Sequence, residues 1–133
     1  MGVSVYPVLE KEIEGVGYLT DGKMLAKILD DEARARATEL GVEPLMNFFG
    51  FDPEILFEEF DLQTAEELKE RWFSAEDGLK SVNALIQDLT ENPKLYSIDS
   101  KISTGAVEDL KVMRKVLEEA NSSRLKWYLA IDF

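Results

Sequence analysis

The sequence predicts an α+β fold: four to five helices packed on a small sheet formed mainly by an N-terminal and a C-terminal strand. Three observations carry this. Residues 124–132 alternate, with Leu125, Trp127, Leu129 and Ile131 facing one way and Lys126, Tyr128, Ala130 and Asp132 the other. Residues 21–40 place Leu25, Ile28, Leu29, Ala33, Ala37 and Leu40 on one helical stripe. Ser74-x-x-Asp77 has the form of a capping box, opening a helix to about residue 90. The 133 residues are read as one globular domain, 1–133.

Taken in order, residues 3–8 read as a short strand whose Pro7, lacking an N–H, suits an edge. Residues 9–19 are polar and contain glycine, so a loop is expected. The helix over 21–40 ends at Gly41, a natural stop. Asp52-Pro53 predicts a short helix over 53–60, and Thr64-x-x-Glu67 opens another to about residue 71. The helix from Ser74 carries Leu79, Val82, Ile86 and Leu89 and ends at Asn92-Pro93. Its Gly78 implies close approach of another element or a tolerated defect. Residues 95–98 could form a strand. The last helix spans about 104–120, aligned through Leu110, Met113, Leu117 and Ala120. A two-stranded ribbon is marginal in water, so the helices must cover the apolar face of the terminal strands.

Composition limits the chemistry. There are no Cys and no His, which removes disulfides, thiolate or imidazole catalysis and the usual zinc ligands. Only hard cations such as Mg²⁺ or Ca²⁺ would suit the carboxylates, no calcium-loop pattern is present, and no cofactor is expected. Fifteen basic against 27 acidic residues give −12, which disfavours nucleic acid and anionic membranes. No apolar run approaches a membrane span, and residues 1–6 lack signal-peptide character, so a cytoplasmic protein is expected. Residues 1–70 hold 17 acids and 6 bases, and residues 71–133 hold 10 acids and 9 bases, so the acidity belongs to the first half.

Several motifs come close to function. Gly17 to Met24 matches G-x-x-x-x-G-K but ends in Met24 rather than Ser or Thr, and Asp21 would oppose a phosphate, so a cap at a helix start is the better reading. Ser123-x-x-Lys126 has Ser–Lys nucleophile spacing but precedes a strand rather than a helix. The strongest feature is compositional. Residues 43–70 hold nine acids and one base together with five of the seven Phe. The candidate partner-binding residues are Phe48, Phe49, Phe51, Glu54, Glu58, Glu59, Asp61 and Trp72. Aromatics would supply contact area there, and acids would select a basic partner. The competing reading puts the Phe residues in the core and the acids on the wet side of short helices.

The segments Met1 to Glu10, Pro44 to Phe49, Trp72-Phe73 with Glu76 to Leu79, and the ending Leu129 to Phe133 resemble signatures of a small bacterial family of α+β proteins with no activity attached. The resemblance implies a fold and no catalytic role.

Function is accordingly expected to be non-enzymatic binding of another protein, with an immunity or inhibitor-like role as its specific form. One alternative is a carboxylate-based enzyme or small-ligand binder using Glu58, Glu59, Asp61, Tyr6 and Tyr18. Another is a structural subunit that self-associates through an exposed sheet face as a homo-oligomer.

Overall fold

The computed structural model describes residues 4–11, 22–48, 72–96 and 98–132. Within them lie three strands, β1 (Ser4–Leu9), β2 (Phe73–Ser74) and β3 (Lys126–Asp132). Four helices accompany them: α1 (Lys23–Ile28), α2 (Asp31–Leu40), α3 (Ala75–Glu91) and α4 (Ser100–Ser122). Short 3₁₀ turns occupy Leu45–Phe48 and Pro93–Tyr96. The α+β expectation holds. The helices expected at 53–60 and 64–71 lie outside the described residues.

The terminal strands pair as expected. β3 is the central strand of an antiparallel sheet ordered β1-β3-β2, with Val5 opposite Ile131 and Leu9 opposite Trp127. β2 adds two residues, Phe73 opposite Trp127 and Ser74 opposite Lys126. Alternation sends Val5, Trp127 and Leu129 into the core, where they meet Leu25, Val82, Leu110 and Leu117 from the helices. Tyr6, Tyr128 and Ala130 take the opposite face.

β1 is an edge strand with a blunted outer side. The Val5 N–H donates to the Gly22 carbonyl at 3.4 Å, and Pro7, two residues on, has no N–H. Gly22 allows this contact: it adopts φ +69°, and a Cβ there would overlap the Val5 carbonyl oxygen.

Three local expectations are corrected. The helix over 21–40 is broken at Leu29–Asp30, because the Asp30 carboxylate accepts from the Ala33 N–H and starts a new helix. Residues 93–96 form a 3₁₀ turn rather than part of a strand, with Tyr96 buried. The last helix begins at Ser100, four residues early, because Asp99 accepts from the Ile102 N–H. Gly41 closes α2 as expected, and the Ser74 hydroxyl accepts from the Asp77 N–H as a capping box requires.

Candidate functional site

The site grows from the junction of α2, the first 3₁₀ turn and the start of α3. Gly41 turns the chain out of α2, and Leu45 and Phe48 bury themselves in the core. The Ser81 hydroxyl of α3 donates to the Glu43 carbonyl at 2.6 Å and fixes the turn against the helix. Between these pieces opens a groove of about 690 Å³. Its walls are Gly41–Glu43, Met46, Asn47 and Phe48 on one side and Phe73, Asp77, Lys80 and Ser81 on the other.

Aromatic packing sets one wall. Phe48 stacks on Trp127 with ring centroids 5.1 Å apart and meets Phe73 edge-on at 5.3 Å. The Trp127 Nε1–H donates to the Ser74 carbonyl at 3.1 Å, so the indole is tied to the strand that leads into α3. At the rim, the Asn47 amide donates to the Glu43 carboxylate at 2.6 Å and accepts from the Arg34 guanidinium at 3.3 Å. Glu43, Asp77 and Lys80 are exposed. Among the described residues, the groove therefore offers two carboxylates, one ammonium, a thioether and aromatic surface.

A second polar cluster lies nearby. Arg36 of α2 grips Asp88 of α3 through Nε–H at 2.9 Å and Nη2–H at 2.8 Å. The Tyr96 hydroxyl donates to the same carboxylate at 2.6 Å, and the Asn92 amide at 3.0 Å. Asp88 is buried, and every lone pair it presents has a donor nearby. The Arg36 hydrogen bonds lower its pKa most, burial opposes them, Tyr96 and Asn92 add to the lowering, and the result is about 2. Burial and the bond to Asp88 hold the Tyr96 hydroxyl protonated. Arg36 is held more firmly charged by the same hydrogen bonds. The sequence carried a signal for this cluster: Asp88 stands on the apolar side of α3, between Leu85 and Leu89. Its partner, 52 residues away, had no such signal.

Of the residues singled out from sequence, Phe48 is only 3% exposed, so its ring belongs to the core and reaches the groove as part of its wall. Trp72 is half-buried, its ring 5.0 Å from Tyr128. It stands next to Phe73 of the groove wall. Phe49, Phe51, Glu54, Glu58, Glu59 and Asp61 lie outside the described residues, as does Tyr18. Tyr6 is 37% exposed on the sheet face away from the helices.

The G-x-x-x-x-G-K motif ends at the start of α1. There the Leu25 N–H is taken by the buried Asp109 carboxylate at 3.0 Å, so a carboxylate stands where a phosphate loop would hold phosphate. Among the described residues there is no group of three acids placed to hold a metal ion. No described helix is long and apolar enough to cross a membrane. No protein-family model, curated protein or solved structure matches the chain.

Proposed function

We propose that this chain is a non-catalytic binding protein that takes a cationic segment of another protein into the groove between Gly41–Phe48 and the start of α3. The observation that carries the reading is the pairing of two exposed carboxylates, Glu43 and Asp77, with the apolar surface of Met46 and Phe73 in one concavity. A lysine or arginine side chain has the matching form, an aliphatic stem with a charged head. Asn47 holds the Glu43 carboxylate in place, which lowers the ordering cost of binding. Lys80 opposes one of the two acids locally, but the chain as a whole carries −12 and steers basic partners toward it.

In this reading the acids of residues 43–70 extend the same acidic character along the chain, and a small acidic inhibitor of a basic enzyme is its specific form. The protein acts in the cytoplasm, where a chain without cysteine loses nothing to reducing conditions. The test is an NMR titration of the full chain with a short Lys- and Arg-containing peptide at moderate salt. The reading expects amide shifts concentrated at Glu43, Met46, Asn47, Phe73 and Asp77. Shifts scattered over the acidic surface, or centred elsewhere, overturn it.

A further inference from the structure

We infer that α2 is a hinged flap held shut by one ionic latch, the Arg36–Asp88 pair, and that its movement reshapes one wall of the groove. The first half stands on the packing of α2 alone; the second rests on the groove being the binding site.

Among its described side chains, α2 buries only Ala33 and Ala37. Its one large apolar residue, Leu40, is 37% exposed. By contrast α3 buries Val82, Leu85, Ile86 and Leu89. Two methyl groups are little apolar area to hold a ten-residue helix, so the attachment falls to polar contacts. The strongest of these is the two-bond grip of Arg36 on Asp88, whose carboxylate is already oriented by Tyr96 and Asn92. The other polar contacts of α2 with distant described residues, Arg34 with Asn47 at 3.3 Å and with the Met46 sulfur at 3.9 Å, are long and exposed.

Both ends of α2 have a joint. On one side Leu29 and Asp30 leave the helical conformation. On the other, Gly41 takes φ +76° with open space around it. Beyond the joints the chain is anchored again, by buried Leu25 and Ile28 before α2 and by buried Leu45 and Phe48 after it. A helix with weak packing, a joint at each end and one buried polar anchor opens as a unit at a lower cost than global unfolding. Gly41 and Val42, the chain just past the flap, form part of the groove wall, whereas Glu43 stays tied to α3 through Ser81, so opening moves Gly41 and Val42 relative to Glu43 and Asp77.

Hydrogen exchange of the full chain, resolved by residue, tests this. In the wild type the α2 amides should exchange faster than those of α3 and α4. Arg36→Met and, separately, Asp88→Asn should speed α2 exchange at least about tenfold, Arg36→Lys should restore part of it, and Gly78→Ala, which strains the core and not the flap, should speed α3 and α4 exchange while leaving α2 exchange unchanged. Exchange of α2 in concert with α3 and α4 in the wild type overturns the inference, as does acceleration of α2 by Gly78→Ala or no acceleration of α2 in both latch variants. Coupling to the groove is read from the Gly41 and Val42 amide shifts in Arg36→Met without any peptide. Unchanged shifts remove the coupling, whereas failure of the wild-type peptide titration removes the binding reading and leaves the flap intact.

Discussion

Gly78 leaves the room that Trp127 fills. A Cβ on Gly78 would lie 2.5 Å from the indole Cζ2 and 2.6 Å from Nε1, closer than any real contact of this kind. The glycine in the first turns of α3 therefore exists for the approach of β3. Alanine is the better helix former by about 0.5–1 kcal/mol, but overpacking a core costs about 1–3 kcal/mol. Gly78→Ala should destabilise the protein by about 1–2 kcal/mol in urea unfolding. A stabilised variant would mean that the indole moves aside freely.

Trp127 is fully buried, stacked on Phe48 and hydrogen-bonded to the Ser74 carbonyl. Trp127→Ala should cost about 3–5 kcal/mol in the same measurement, the usual range for emptying a large aromatic site. A loss below about 1 kcal/mol would show that the site collapses or that the ring is not in the core.

Arg124 is the one described non-glycine residue with positive φ, at +57°. It follows α4, where the Leu125 N–H donates to the Ala120 carbonyl at 2.8 Å and the Arg124 N–H to the Asn121 carbonyl at 3.2 Å. These are the paired bonds of a Schellman ending, whose left-handed position glycine usually fills. Arg124→Gly should raise stability by about 0.5–1 kcal/mol, the relief of backbone strain less the entropy that glycine adds to the unfolded chain. Arg124→Ala should give no such gain, and equal effects of the two variants would contradict the strain argument.

The Asp88 carboxyl has a folded pKa of about 2, set first by Arg36 against burial, whereas an unfolded aspartate titrates near about 3.9. A depressed pKa stabilises the folded state fully above the unfolded value, and that contribution is lost as pH falls from about 4 toward about 2. Asp88→Asn removes the titrating group. The stability gap between wild type and Asp88→Asn should be constant from about pH 5 to 7 and narrow below about pH 4. A gap that stays constant to pH 2 would show that the carboxylate charge contributes nothing to the cluster.

How far the sequence could be read follows from where each signal lives. β3 was legible because alternation over nine residues is a local pattern, and α3 because Ser74 and Asp77 cap it within one turn. β2 was not, since Phe73 and Ser74 are a strand only through their pairing with Trp127 and Lys126. The break at Leu29–Asp30 was hidden because the apolar spacing runs on across it, from Ile28 to Ala33, while Asp30 caps the second helix. The early start of α4 rests on one Asp99 cap ahead of a polar first turn. Of the groove's acids, Glu43 lies in the acid-rich segment that composition singles out, and Asp77 lies beyond it. The concave form of the groove was not legible, because it depends on Ser81 holding the Glu43 backbone across 38 residues of sequence.

The binding reading is tested most directly by capture from lysate with three immobilised chains. These are the wild type, Glu43→Lys with Asp77→Lys, and Glu118→Lys with Glu119→Lys on the exposed side of α4. The two double variants have the same net charge, so only the place of the change differs. The account predicts a stoichiometric basic protein on the wild type, released at high salt, retained by the α4 variant and absent from the groove variant. Retention by both variants, or equal loss from both, would contradict a binding site in the groove.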